Sequence, residues 1–250
     1  MAAGEEVRAI WKIADAVCFD VDSTVIQEEA IDELAKFCGK GDQVAKITKE
    51  AMKGSLSFQQ AFARRLEIIK PQMNQIRDFI RTKPPRLTPG IKRLVEVLHQ
   101  RSVPVYLISG GLRGVITPVA LELNIPLQNV YANRLKFFFN GEFAGFDENE
   151  PTSRNGGKAE VIRMLKEKHG YSNVVLIGDG ATDLEASPPA DAFIGYGGNV
   201  IREEVKSKAK CCYLSLSDFT VNPIYTSQVG SCLTSYQGDL GFKAEPRDLS

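Results

Sequence analysis

The sequence predicts a doubly wound α/β fold with a mostly parallel sheet and an inserted helical cap. Three observations carry this prediction. Four short apolar runs end abruptly on polar residues or glycine, helical patterns separate the later runs, and residues 28–83 break the alternation with successive helical patterns and no strand.

The first run, Ala16-Val17-Cys18-Phe19, stops at Asp20, as a buried parallel strand does when its carboxyl end carries polar groups. Three or four helical patterns then fill 28–83, before Pro84-Pro85. A helical pattern over 90–101 precedes the second run, 103–108, which stops at Ser109-Gly110-Gly111, and another covers 112–123. Residues 133–147 read as a hairpin, because Asn140-Gly141 between two aromatic-rich segments suits a type I′ turn. A helix over 158–169 leads to the run 174–177, which stops at Gly178-Asp179-Gly180, and the run 192–194 stops at Gly195. From residue 211 Ser, Thr and Gly become frequent and no helical period persists, leaving Tyr213-Leu214-Ser215-Leu216 as one candidate strand. The division that follows is a discontinuous core (14–27 and 84–210), a cap (28–83) and a divergent tail (211–250) with the composition of poorly ordered chain.

With 31 basic and 31 acidic residues among 250, no net field attracts nucleic acid or anionic lipid. The sequence shows neither an N-terminal basic-then-apolar pattern nor an apolar stretch of membrane-spanning length, which points to a cytoplasmic protein. The five cysteines lack paired metal spacing; Cys18 and Cys38 read as reduced core thiols, and Cys211, Cys212 and Cys232 receive no role.

In the predicted sheet, Asp20, Asp22, Ser109, Asp179 and Asp183, with Lys158 nearby, converge at the carboxyl ends of the strands. One aspartate after a strand is ordinarily a turn or cap, but the joint pattern Asp-x-Asp-x-Thr, Ser-Gly-Gly, Lys and Gly-Asp-Gly-x-x-Asp is far more specific. Several carboxylates with few cations call for a hard divalent ion, one Mg²⁺, while a hydroxyl and an ammonium suit a transferring phosphoryl group. Lys158 projects near the stripe of Val161, Ile162 and Leu165 at a helix N-terminus, where the dipole opposes a cation, so an anion is expected beside it. Asp183 suits a ligand and a helix cap equally. Arg65 falls within the stripe of Phe58, Phe62 and Ile69 and needs an anion, either a protein carboxylate or a substrate group. Glu28 and Glu29 open the first cap helix, where wheel geometry sets Glu28 nearer the stripe of Ile31, Leu34 and Cys38; Met52 is an ordinary helix-end residue.

Residues 14–210 resemble the haloacid dehalogenase superfamily and, within it, the vertebrate-type phosphoserine phosphatase family. The resemblance rests on Asp20-Val21-Asp22-Ser23-Thr24-Val25, Glu28-Glu29-Ala30-Ile31-Asp32-Glu33-Leu34-Ala35, Leu107-Ile108-Ser109-Gly110-Gly111, Gly156-Gly157-Lys158 and Gly178-Asp179-Gly180-Ala181-Thr182-Asp183. It implies Mg²⁺-dependent hydrolysis of O-phospho-L-serine to L-serine and phosphate through an aspartyl-phosphate, the last step of serine biosynthesis. Asp20 would be the nucleophile and a metal ligand. Asp22 would be the general acid and base, lending the metal its backbone carbonyl, with Asp179 a further ligand and Asp183 in the outer shell. Ser109, the amides of Gly110 and Gly111, and Lys158 would hold the phosphoryl group, Glu29 the substrate ammonium and Arg65 its carboxylate. Ser23, Met52, Lys53 and Thr182 complete the implied substrate site. Lys53 stands where the family has glycine, so its side chain either points outward or adds positive charge beside the phosphate. Beyond Lys210 the chain departs from the family's aromatic-led strand and final amphipathic helix. The implied partner is a small-molecule substrate, with neither nucleic acid nor membrane, and a homodimer is compatible with the family. The competing readings are the same chemistry on another small phosphomonoester and a phosphate-binding relative without turnover. Asp22 argues against the second, since a carboxylate beside an acyl phosphate promotes its hydrolysis.

Overall fold

The computed structural model describes residues 3–52, 56–213 and 215–216. Helix α1 (Ala3–Lys12) leads into strand β1 (Ala16–Phe19); four helices follow, α2 (Ala30–Phe37), α3 (Gly41–Met52), α4 (Phe58–Ile69) and α5 (Met73–Thr82). The chain returns through α6 (Ile91–Gln100), β2 (Val105–Leu112), α7 (Arg113–Glu122) and β3 (Val130–Asn133) to a hairpin of β4 (Leu135–Phe137) and β5 (Phe143–Phe146). It closes with α8 (Gly157–His169), β6 (Val174–Gly178), α9 (Ala181–Leu184), β7 (Ala192–Tyr196), α10 (Glu203–Lys208) and β8 (Cys212–Tyr213).

Six strands form a parallel sheet in the order β3-β2-β1-β6-β7-β8. Both faces of β1 are covered: Val17 and Phe19 pack into one apolar cluster with Leu94, Leu107 and Ile177, while Ala16 and Cys18 pack into another with Val161, Leu165 and Leu176. A strand buried on both faces needs a continuous apolar run, which is what this segment supplies. The strand order reverses beside β1, so its carboxyl end opens at a topological switch point. Phe19 lies level with Leu107 on one side and Ile177 on the other, and the chain just beyond each of the three carries Asp20, Ser109 and Asp179 to the same edge.

The doubly wound fold with an inserted helical cap is as expected, with local differences. Helix α1 was not foreseen, although Val7 and Trp11 anchor it in the core and the Arg101 guanidinium stacks 5.8 Å from the Trp11 ring. Edge strand β3 was also missed, because its four residues merge into the hairpin pattern. Strand β2 continues past Ile108 to Leu112, with a register shift against β3 over that stretch. The hairpin turn is not type I′. Gly141 N donates to Phe138 O at 2.9 Å and Phe138 N to Glu142 O at 2.8 Å, while Gly141 takes a φ of 85° that Asn140 does not share. This is a three-residue loop ending on a left-handed glycine, and the Asn140 side chain accepts from Glu142 N instead of entering that region. At the other end Cys212–Tyr213, within the expected tail of 211–250, adds the sixth strand and Leu216 is buried; Leu214 and residues 217–250 of that tail lie outside the described residues. No described helix is long and apolar enough to cross a membrane.

Helix α4 starts on a capping box, Ser57 Oγ accepting from Gln60 N while Gln60 Oε1 accepts from Ser57 N. Its buried Phe62 meets the Phe146 ring edge-on at 5.0 Å, and Met73 N at the start of α5 donates to Gly141 O at 2.9 Å, so the hairpin braces the inserted helices.

Candidate active site

Immediately beyond β1 the chain makes a tight turn over residues 21–25, with Asp22 extended and Ser23 in the left-handed region at φ 56°. That geometry separates the two aspartates. Asp22 Oδ1 accepts from Ala30 N at 2.7 Å and Oδ2 from Ser109 Oγ at 3.3 Å, whereas Asp20 turns to Lys158, whose Nζ is 2.8 Å from Asp20 Oδ1. Burial, together with repulsion from Glu29 and Asp20, pushes the Asp22 carboxyl up to about 8. Asp22 is thereby inclined to hold a proton at neutral pH.

Lys158 also contacts Asp183 at 2.6 Å and is almost wholly buried. Burial alone would depress its pKa, but Asp183 and Asp20 raise it above the ordinary lysine value, so it stays charged. Two glycines make this arrangement possible. A Cβ on Gly157 would lie 1.9 Å from Pro151 O, so only glycine lets the α8 N-terminus pack there and deliver Lys158; one on Gly178 would lie 2.3 Å from Asp183 Cγ. Asp183 lies close to the Asp20 and Asp179 carboxylates and also caps α9, its Oδ2 accepting from Gly180 N at 3.1 Å.

The Ser109 hydroxyl is fully buried and accepts from Gly111 N at 2.8 Å. Asn133, at the end of β3, clamps the same segment, donating to Gly110 O at 2.8 Å while its Oδ1 accepts from Thr152 Oγ1 at 3.0 Å.

Carboxylate oxygens of Asp20, Asp179 and Asp183 lie within 4.8 Å of one another, all three residues buried. Burial and the Asp20 charge push Asp179 up to about 6 and Asp183 up to about 7, even with Lys158 and Arg202 nearby. The cluster is thus under-neutralised, and its all-oxygen donors match a hard divalent cation. The Asp22 carboxylate stands outside the cluster, committed to Ala30 and Ser109. Thr24 Oγ1 donates to Asp179 Oδ1 at 3.2 Å, and Arg202 donates from Nε to Asp179 Oδ2 at 2.7 Å and from Nη2 to Glu29 Oε1 at 2.9 Å.

Just before α2, Glu29 faces the site, its Oε1 also accepting from Ser23 Oγ at 2.9 Å. Arg65 is partly buried; burial lowers its pKa, opposed by the charges of Asp32, Glu29 and Asp22, which sets its guanidinium among the site's acids. Phe58 overhangs the Ser-Gly-Gly segment so closely that a Cβ on Gly110 would lie 2.5 Å from its ring.

The chain matches the model of the haloacid dehalogenase-like hydrolase family over residues 14–191. It is 57% identical over 210 residues to the phosphoserine phosphatase of Homo sapiens, covering 84% of this chain and 93% of that protein. The chloroplastic phosphoserine phosphatase of Arabidopsis thaliana is 51% identical over 207 residues, covering 82% and 70%. The chain belongs to the phosphoserine phosphatase family of haloacid dehalogenase-like hydrolases. Among solved structures, the phospho-aspartyl intermediate analogue of a phosphoserine phosphatase superposes with a TM-score of 0.71 at 27% identity, covering 81% of this chain and 94% of that one. A substrate-bound phosphoserine phosphatase complex does so with a TM-score of 0.71 at 26% identity, covering 81% and 93%.

The hydrolase fold brings Asp20, Asp22, Ser23, Glu29, Ser109, Lys158, Asp179 and Asp183 to the same edge of the sheet in three bonded sets: Ser23, Glu29 and Asp179 linked through Arg202, Asp22 with Ser109, and Asp20 with Lys158 and Asp183. Wheel geometry failed at Glu28, which turns away to pair with Arg86 Nε at 2.5 Å. Helix α2 begins only at Ala30, so Glu28 and Glu29 precede it and follow no helical period. Thr182 is exposed on the first turn of α9. Met52 ends α3, and Lys53 lies outside the described residues. Arg202 was missed altogether: it follows an exposed isoleucine in a stretch without periodicity, and the one available signal was its position shortly beyond a fourth strand end.

Proposed function

We propose that this hydrolase converts O-phospho-L-serine and water to L-serine and phosphate through an aspartyl-phosphate on Asp20. The observation that carries the reading is the division of labour between two neighbouring carboxyls. Asp20 lies against the Lys158 ammonium, and Asp22, with its carboxyl pushed up to about 8, sits beside Ser109. An Asp20 oxygen attacks phosphorus as the bond to the serine oxygen breaks, and Asp22 gives its proton to that leaving oxygen. Asp22, now ionised, takes a proton from water as the water oxygen attacks phosphorus. The Asp20–phosphorus bond breaks, and phosphate leaves.

Lys158, Ser109 and the amides of Gly110 and Gly111 hold the phosphoryl oxygens, where positioned donors stabilise the charge that spreads over them. Asp20, Asp179, Asp183 and the Asp22 carbonyl would hold one Mg²⁺, which when bound offsets repulsion between the carboxylates and the phosphate dianion. Glu29 meets the substrate ammonium and Arg65 its carboxylate, with Ser23, Met52, Lys53 and Thr182 completing the pocket. The segment 28–83 acts as a cap over a core of 14–27 and 84–210, Phe58 closing on Gly110. A cytoplasmic location and the final step of serine biosynthesis go with this reading.

The test is phosphate release from a panel of small phosphomonoesters with Mg²⁺ present. The reading expects the highest kcat/KM on phosphoserine, with a loss on analogues lacking the ammonium or the carboxylate; equal turnover of those analogues would contradict it.

A further inference from the structure

The cap joins the core through two chain crossings, residues 25–29 outward and 84–88 on the return. They are zipped together: Gln27 N donates to Arg86 O at 3.0 Å, Thr88 N to Val25 O at 2.9 Å and Gln27 Nε2 to Leu87 O at 3.0 Å, with an antiparallel bridge between Ile26 and Leu87. Two crossings held as a ribbon move together, so whatever fixes the ribbon to the core also fixes the orientation of the cap.

One core side chain reaches both crossings. Asn199, in the loop between β7 and α10, directs its Nδ2 at Ser23 O (3.0 Å) and Ile26 O (3.3 Å) on the outward side and at Thr88 Oγ1 (2.7 Å) on the return. Its two amide protons are shared among three acceptors, one in the turn that leads into the outward crossing and one in each crossing. Thr88 is buried, so its hydroxyl depends on protein partners, and Ser23 is the left-handed residue whose hydroxyl holds Glu29. Three residues further along, Arg202 grips Glu29 and Asp179. The loop after β7 therefore ties the base of the cap to the carboxylate cluster.

We propose that Asn199 is a positioning residue for the reaction, which seats the cap by pinning both hinge crossings to the loop after β7. It touches none of the reacting groups and acts through Ser23 and the hinge on Glu29 and Arg65, which the cap carries. Asp20, Ser109 and Lys158 belong to the core and do not depend on it. In its kinetic part the inference rests on the phosphoserine reading; in its structural part it does not.

The experiment compares Asn199→Ala, Asn199→Asp and Thr88→Val with the parent chain in two measurements. In amide hydrogen exchange, both Asn199 variants should accelerate Gln27 and Thr88 by about tenfold or more, the consequence of unpinning buried hydrogen bonds, while β2 and β6 exchange as in the parent. Asn199→Asp keeps the shape but cannot donate, so it should be at least as disruptive as Asn199→Ala, and Thr88→Val, which removes one acceptor, should fall between these and the parent. In kinetics, KM for phosphoserine should rise about tenfold, with the inhibition constant of inorganic phosphate, which needs core groups alone, changing less than about twofold. Unchanged exchange at Gln27 and Thr88 in folded variants would overturn the proposal, as would full retention of these bonds by Asn199→Asp. Faster hinge exchange without preferential discrimination against phosphoserine would leave the clamp standing and contradict the assignment of Glu29 and Arg65 to substrate. A variant that fails to fold is replaced in the comparison by Thr88→Val, which leaves Asn199 in place.

Discussion

Lys158 Nζ stands 2.8 Å from Asp20 Oδ1, with both side chains about nine-tenths withdrawn from solvent. The lysine belongs to no pair alone, because Asp183 holds it from the other side at 2.6 Å. Removing it leaves two buried carboxylates facing each other. Lys158→Met should lower kcat at least about 100-fold by deleting a charge-stabilising donor. Breaking a buried ion group costs about 3–5 kcal/mol, and proton uptake by Asp183, already inclined to bind one near neutral pH, should bring the loss to the lower end. Urea unfolding at neutral pH and phosphate release measure the two effects.

The carboxyls of Asp22, Asp179 and Asp183, pushed up to about 8, 6 and 7, make stability depend on pH in a definite direction. Their folded values lie above the ordinary 3.8, so between about pH 4 and pH 8 the folded chain holds protons that the unfolded chain has released. This contribution to metal-free stability is greatest at the acid end and is lost as pH rises through the window. A divalent cation held at Asp179 and Asp183, as proposed, would replace those protons, so its stabilisation should grow with pH. At about a hundredfold excess over its Kd, the rise in Tm should reach about 5–10 °C near pH 8 and shrink toward pH 5. Calorimetric melting with and without Mg²⁺ checks this; a pH-independent shift would contradict it.

Arg202 lowers the carboxyl of Asp179 by charge and by hydrogen bond, against the upward push of burial. Arg202→Met should therefore move the acid limb of the kcat/KM profile to higher pH and, if Asp179 holds the metal as proposed, reduce kcat/KM about 10–100-fold through loss of the group that orients it. Arg202→Lys should restore only part, since one ammonium cannot reproduce two directed donors to Asp179 and Glu29. A profile that falls in height without shifting would mean that Arg202 acts on Glu29 alone.

Gly157 meets the backbone of Pro151, which cannot swing aside as a flexible side chain would. Gly157→Ala should cost about 2–4 kcal/mol through the forced backbone shift and depress activity further by displacing Lys158 at the next position. Tm and kcat measured together should both fall; a variant with the parent's Tm would contradict the contact.

The sheet and most of the site were legible in the sequence because strands buried on both faces write themselves as apolar runs, and their polar ends mark the active edge. Lys158 was readable because a lysine at a helix N-terminus beside an apolar stripe conflicts with two local rules and needs an anion. Glu29 was not readable from periodicity, since the helix starts one residue after it and its orientation comes from Ser23 and Arg202. Arg202 and Asn199 lie in a loop whose partners are remote in sequence, and only the tertiary fold shows what they hold. The hairpin turn went wrong for a smaller reason. Asn-Gly fits two loop lengths, and the Phe138–Glu142 pairing chose the longer.

The central claim is that phosphoserine is hydrolysed through a covalent phosphoryl group on Asp20. Rapid acid quench of the Mg²⁺-loaded enzyme with phosphorus-labelled phosphoserine, followed by peptide mapping, tests it directly. The account predicts hydroxylamine-sensitive label on the peptide carrying Asp20, and neither label nor turnover in Asp20→Asn. Sustained phosphate release by Asp20→Asn, or label confined to another residue, would contradict it.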